Sequence, residues 1–424
     1  MKILFFGVHF PRPNNQTIGT WALSQVVALR DAGHEVKVVS PVPAIPVFIT
    51  KVLRRGTSAV CPSSHTWNGI EVEYVRWPVY PVGPLAKWLR ERPGLFVKLA
   101  WKLSKGKFLP IAEQFAPDIV FAHHGQLSGF VAAEVARRLA VPFFITEHNF
   151  NDIESCAKSA PRRRHYAEAT RGISNWIAVA NRMRNAMTEI FPGVPAVTVH
   201  NGAELIPKEL RANPRPPNLS GRLVVLCVTF FYKRKNVPLL VESFDRIAGR
   251  HPNALLVIAG DGEDRSAVAA AAERAKHRTQ IMLRGALGHR EVLQHMLWCD
   301  VFAHIGVNEP FATVFSEAMM AGKPVIFSAD GGITDVVVDG SHGLKVLPGD
   351  GESAAGAMDR LLSDAALRSR LGSAAANLAN SELTWAKNAE NMTGFFEAAL
   401  RSRNSAIPLA GITELSTQSP SRLP

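Results

Sequence analysis

NEPFATVFSEAMMAGKP, residues 308–324, joins the apolar run Cys299–Ala303 to a second apolar run, Val325–Phe327. Pro310 biases Glu309 away from helical dihedrals, so Glu309 is expected on a loop. A helix is predicted from about Ala312 to Ala321, stopped by Gly322 with Pro324 just beyond. The first turn of such a helix leaves amide N–H groups unpaired at its positive end. Ala312, Thr313 and Val314 therefore form a natural seat for a diphosphate.

Two carboxylates bracket that seat, Glu309 before the helix and Glu317 within it. Were the whole segment helical, they would stand roughly 12 Å apart along the axis. Retaining glycosidases hold their carboxyls about 5–5.5 Å apart and inverting ones about 6.5–9.5 Å. The spacing suits two grips on one elongated ligand better than an acid/base pair. The plainer alternative is one glutamate capping a helix and another solvated on it.

Composition sets the frame around this segment. A chain of 424 residues, 47% hydrophobic and 20% charged, can build two sizeable soluble domains. No apolar run reaches the roughly 18–20 residues needed to span a bilayer, and glycine stops the opening MKILFFG too early for a signal peptide. Cys61, Cys156, Cys227 and Cys299 are scattered without a CxxC pair, which fits a reducing cytoplasm and indicates neither zinc nor a disulfide framework. The net charge of +12 is lopsided: residues 1–210 hold 25 Lys+Arg against 15 Asp+Glu, the remainder 23 against 21. A basic first half suits an anionic partner. With no nucleic-acid module present, a membrane surface at the inner face of the plasma membrane or a lipid-linked acceptor is preferred to nucleic acid.

The first half reads as strand, Gly19-bearing loop, helix from about Trp21 to Asp31, and strand Glu35–Ser40, which is a βαβ unit. It has no G-x-G-x-x-G. Residues 41–93 are proline-rich and resist assignment apart from the alternating Ile70–Arg76. A helix is expected from Gly94 to Phe115, with Phe96, Leu99 and Leu103 on one face and Lys98, Lys102, Lys105 and Trp101 on another, a pattern that either lies in a membrane interface or packs as an ordinary domain helix. Strands at Asp118–Ala122 and Pro142–Thr146 lead into His123-His124 and Glu147-His148, placing imidazoles where a parallel sheet presents its ligands. Glu147 and His148 are candidates for contacting an acceptor. No third ligand recurs at a useful spacing, so no metal is expected.

The strand Val197–Val199 ends in His200-Asn201-Gly202, and the prolines at 207, 214, 216 and 217 mark a stiff, exposed linker over 207–220. The pattern then restarts: strand Leu223–Val228, a basic loop Lys233-Arg234-Lys235, a helix from Val237, and a strand ending in Gly260-Asp261-Gly262. Cations on the loop after a domain's first strand can clamp phosphate oxygens. Residues 404–424 are Ser/Pro-rich and expected to be disordered.

Taken in order, Gly19, His123, Asn201-Gly202, Lys235, Gly260-Asp261-Gly262 and Glu309/Glu317 resemble the pattern of retaining glycosyltransferases of family 4, whose signature is E-x7-E. That resemblance covers the chain to about residue 400. It implies the GT-B fold, an α/β architecture of two Rossmann-like, doubly wound parallel-sheet domains facing a cleft. The domains would be 1–206 on the acceptor side and 221–384 on the nucleotide-sugar side, with a helix at about 385–402 crossing back to the first. Implied roles are Gly19 near the donor diphosphate, Lys235 on it, Glu309 on the donor sugar, Glu317 on the ribose, and His123 facing the reacting sugar. The family's diphosphate arginine is replaced by Phe230, leaving Arg234 or Lys233 to substitute. The donor would be a nucleotide diphosphate-sugar, the acceptor a glycan or lipid-linked glycan, with no cofactor or metal. A GT-B phosphorylase, a nucleotide-sugar epimerase, or a non-catalytic sugar-nucleotide-binding protein shares enough of these features to remain an alternative.

Overall fold

The computed structural model describes residues 1–16, 18–44, 61–80 and 84–405. The tail beyond 405, expected to be disordered, lies outside the described residues. Two sheets divide the chain. The first holds β1 (Lys2–Phe6), β2 (Glu35–Pro43), β3 (Ser64–Trp67), β4 (Ile70–Trp77), β5 (Ile119–His123), β6 (Phe143–Glu147), β7 (Asn175–Ala178) and β8 (Ala196–Thr198), in the order β3-β4-β2-β1-β5-β6-β7-β8. Among the described strands, only the β3/β4 hairpin is antiparallel. The second holds β9 (Leu223–Val228), β10 (Ala254–Ala259), β11 (Ile281–Gly285), β12 (Val301–His304), β13 (Val325–Ser328) and β14 (Gly343–Val346), all parallel, in the order β11-β10-β9-β12-β13-β14. Each strand order reverses beside its first strand, and both sheets are covered by helices. Ile3, Leu4, Phe5 and Phe6 are all fully buried, as a strand packed on both faces requires. This is the two-domain GT-B architecture.

β2 runs three residues past its expected end, through Pro41 to Pro43. The Val39 carbonyl accepts from Gly7 N at 3.2 Å, so odd-numbered residues of this strand face β1. β1 ends at Phe6, and the missing N–H groups of Pro41 and Pro43 therefore face a side with no ladder to join.

The segment 207–220 is largely exposed, as expected, but it is tied down along its length. Leu210 and Leu219 are buried, Asn213 Nδ2 donates to Gln294 Oε1 at 2.6 Å, and Arg215 pairs with Asp300 at 2.8 Å. Prolines stiffen it, but apolar side chains between them seat it on the second domain. The chain crosses between domains a second time beside this segment: Ala203 N donates to Leu383 O at 2.8 Å and Ala203 bridges to Thr384. The last helix, Trp385–Ser405, then lies on the first sheet, with the Phe396 ring 4.8 Å from Phe144 and 5.7 Å from Phe121.

Of the apolar face expected on the helix Pro93–Phe115, only Phe96 is buried. Phe96, Val97, Ala100, Trp101, Ser104, Phe108 and Ala112 are its buried residues, with the Phe108 ring 5.9 Å from both Trp101 and Trp77. Leu99 and Leu103 are exposed instead. The larger aromatic rings fill the space above the sheet, and the leucines are left outside.

Candidate active site

A cavity of about 470 Å³ opens between the two sheets. The second domain supplies most of its wall: Thr229, Phe230, Arg234, Lys235, Gly260, Leu287, His304, Glu309 and Ala312–Val314; Trp21, His148 and Asn201 of the first domain face them. A neighbouring hollow, lined by His9, His124, His148, Asn149 and Lys233, continues it over the first domain.

Local conformation explains how these residues converge. Asn308 holds φ 52° just before Glu309, and Asn236 holds φ 52° just after Lys235; asparagine tolerates this left-handed region better than other side chains. The two turns aim Glu309 at the basic loop. Arg234 Nη1 donates to Glu309 Oε2 at 2.6 Å, and Lys235 Nζ donates to the same oxygen. Burial acts to raise the Glu309 pKa, yet Lys235, His304 and Arg234 outweigh it and hold the carboxyl below its ordinary value. Burial pulls Lys235 down, with Glu309 opposing. One carboxylate thus pairs with two cations, leaving a net positive charge on the wall.

The helix Thr313–Met320 begins at this node. Its N-cap, Ala312, offers no side-chain acceptor, and no acidic residue sits in the first turn. Its positive end is thereby left for a ligand. Gly260 closes the floor: it holds φ +154°, and a Cβ there would lie 1.9 Å from Thr229 O. The ends of β9 and β10 approach this closely only because glycine stands there. His304 Nε2 lies 3.2 Å from Thr229 Oγ1, and burial together with Lys235 holds its pKa down to about 4.

Several expected site residues lie elsewhere. Glu317 is outside this wall; its Oε1 is 3.1 Å from Nε2 of His289, whose pKa that hydrogen bond raises. Gly19 is also behind the wall: at φ +67° it caps the first helix, where a Cβ would meet His9 O at 2.2 Å, and Trp21 reaches the cavity in its place. His123 does not face the cavity. It is 1% exposed, with its ring 4.4 Å from that of His148, which does line the wall. Its Nε2 donates to Gln25 Oε1 at 2.5 Å, Gln25 Nε2 donates to Asn388 Oδ1 at 2.7 Å, and Asn388 Nδ2 donates to His200 O at 2.8 Å. The side chain is committed to joining the first and last helices. Glu147 is fully buried, accepting from Gly125 N at 2.9 Å and pairing with His124 at 3.2 Å, so it orients His124 and offers no surface to an acceptor.

His124, Glu147 and Asp152 bring ligand atoms within 4.8 Å of one another. Asp152 accepts from Gln126 at 2.9 Å and from Asn149 at 2.9 Å, so both carboxylates of this trio already have protein donors. Across the cleft, Asp335 Oδ2 accepts from Asn181 N at 2.6 Å, Arg182 Nη1 donates to Asp330 O at 2.9 Å, and His200 stacks on Phe311 at 4.9 Å. Sequence reasoning missed His304, His289 and Trp21. For His304 a signal existed: Val-Phe-Ala-His occurs at 120–123 and again at 301–304, each time at the end of the strand beside a domain's first strand.

Comparisons with known proteins agree with this fold. The family described as "Glycosyl transferase 4-like domain" matches residues 17–202, and that described as "Glycosyl transferases group 1" matches residues 211–378. The glycogen synthase of Mycobacterium tuberculosis is 27% identical over 98% of this chain and 99% of its own. Among solved structures, sucrose-phosphate synthase from Thermosynechococcus elongatus superposes with a TM-score of 0.72 at 19% identity, covering 95% of this chain and 100% of its own. Anabaena HepE in complex with UDP-glucose gives 0.67 at 18% identity, covering 94% and 100%. With glycosyltransferase family matches on both halves and the fold described above, the chain is a glycosyltransferase of GT-B architecture.

Proposed function

We propose that the protein is a retaining glycosyltransferase of family 4 that moves a sugar from a nucleotide diphosphate-sugar to a glycan or lipid-linked acceptor in surface polysaccharide biosynthesis. The observation that carries this reading is the meeting of Lys235, Arg234 and Glu309 at the uncapped start of the helix Thr313–Met320, inside a cleft between two sheets. A donor's diphosphate would take Lys235 and Arg234 from Glu309 and accept from the amides of Thr313 and Val314. Arg234 then supplies the charge missing at Phe230. Glu309, released, would hold hydroxyls of the donor sugar, and Glu317 would reach the ribose once donor binding displaces its pair with His289. The bond from the anomeric carbon to the β-phosphate oxygen breaks as the acceptor oxygen bonds to the same face, and the acceptor proton passes to the departing phosphate. Fixed positive charge stabilises that leaving group. His148 and His124 stand on the acceptor side, and His123 acts as a positioning residue beneath them.

Structures of the same fold with UDP and UDP-glucose support a nucleotide-sugar donor. The test is a panel of UDP-, GDP- and ADP-sugars read by thermal shift, followed by transfer assays with the donor that raises Tm. Sugar transfer unaffected by EDTA is expected. Conversion of the donor to an isomeric nucleotide-sugar without acceptor would make the protein an epimerase instead, and binding with no turnover would make it a non-catalytic receptor.

A further inference from the structure

Six of the twelve exposed large hydrophobic side chains among the described residues fall between positions 79 and 103: Val79, Leu85, Trp88, Leu95, Leu99 and Leu103. The other six are scattered through both domains. Leu95, Leu99 and Leu103 repeat every four residues on the helix Pro93–Phe115, so they form one outward stripe opposite the stripe that packs on the sheet. Leu103 is 69% exposed, more than a leucine needs to be on a surface with other choices. At 100° per residue the lysines fall on both borders of the stripe, Lys102 and Lys105 on one side and Lys107 on the other, while Lys98, also on the first side, is paired with Glu168 at 2.8 Å. Over residues 84–110 seven Lys and Arg stand against one acidic residue.

We infer that this face, formed by the helices Pro84–Arg90 and Pro93–Phe115, docks on an anionic lipid bilayer. An apolar ridge bordered on both sides by lysine stems matches a headgroup boundary, where leucine and tryptophan enter the acyl layer and ammonium groups stay among phosphates. A protein partner would need acidic groups flanking an apolar groove; a bilayer with anionic lipid offers both everywhere. The anchor is Trp88, held with its ring 4.7 Å from the Arg92 guanidinium, while Trp101 belongs to the core. Orientation follows from the fold. Phe115 O accepts from Lys2 Nζ at the start of β1, so the helix ends at the bottom of the sheet and its first turns lie toward the cleft. The membrane face therefore begins at the level of the site. Together with the transfer reading, this makes a lipid-borne acceptor the substrate class.

The experiment is flotation of the full chain with vesicles of phosphatidylcholine alone or with added phosphatidylglycerol. Binding is expected only to the anionic vesicles and to weaken with salt. The triple variant Leu95→Ser, Leu99→Ser, Leu103→Ser should keep the wild-type Tm and lose at least about tenfold in partitioning. Lys102→Glu and Lys105→Glu should each cost at least about fivefold. Equal binding of the triple variant to anionic vesicles would overturn the inference, as would failure of wild type to bind them. A concentration-dependent dimer abolished by the triple substitution would reassign the face to a second copy. Vesicle binding by a protein that transfers no sugar would sink the transfer reading and leave this one standing.

Discussion

Glu309→Gln separates ground-state binding from chemistry. In the free protein the carboxylate holds Arg234 and Lys235 through one oxygen, with the Glu309 side chain 10% exposed and Lys235 9% exposed. The amide keeps the shape and removes the charge. Breaking a fully buried pair costs about 3–5 kcal/mol. Here Arg234 is 36% exposed and the cavity admits water, so the loss should lie well under that, at about 1–2 kcal/mol. A diphosphate entering the wild-type site must displace Glu309, whereas in the variant the two cations are already free. UDP, or the matching nucleotide, should bind at least as tightly to the variant as to wild type. Transfer should fall by about 10²–10³. Isothermal titration with the nucleoside diphosphate and an initial-rate assay read the two quantities on one preparation. Nucleotide binding weakened tenfold together with normal turnover would refute the argument, because it would mean that Glu309 helps hold the diphosphate and not the sugar.

Three further outcomes follow from the same geometry. Gly260→Ala should abolish donor binding and lower Tm, since the new Cβ would overlap Thr229 O at 1.9 Å; a variant with wild-type nucleotide affinity by titration would contradict the assigned floor. Burial holds His9 and His304 at about 4 and depresses His123 and His148. Their contribution to stability is present above the ordinary value of 6.5 and is lost as pH falls from there through the folded values, so Tm should drop on acidification below pH 6.5. His289 runs the other way: its raised pKa stabilises the fold fully below 6.5 and less as pH rises through the folded value, so His289→Ala should steepen the acid loss of Tm.

The fold was legible because its signals are local and repeated. Buried parallel strands such as Ile3–Phe6 and Leu255–Ile258 are continuous apolar runs, and the turn residues after them interrupt sharply. The second domain's share of the cavity wall is placed by the same elements: Lys235, Gly260, Glu309 and Ala312–Val314 lie on the segments that follow β9, β10 and β12. Depth was not legible. Nothing in Ala-His-His tells which imidazole is sealed under the other, because that depends on Gln25, 98 residues before His123, and on Asn388, still farther along the chain. The exposed face of the helix Pro93–Phe115 escaped likewise, since both its stripes are apolar and only the sheet's need for large rings decides which one packs. Pro-rich 207–220 is largely solvated, as its composition suggests, but its anchoring by Leu210 and Leu219 was not legible, because it rests on partners the segment does not contain.

The side-by-side passage of the chain at Ala203 and Thr384 has a mechanical meaning. Gly202 is pressed so close to Trp385 that a Cβ would lie 2.3 Å from its backbone nitrogen, so the two strands cannot slide past each other. Relative motion of the halves is left as a swing about that one seam. The Asn181–Asp335 and Arg182–Asp330 bonds tie the halves together across the cleft, so any such swing has to break them. A nick within 207–220 would not free the halves, because the second strand of the seam and the helix beyond it would still hold them to a common pivot.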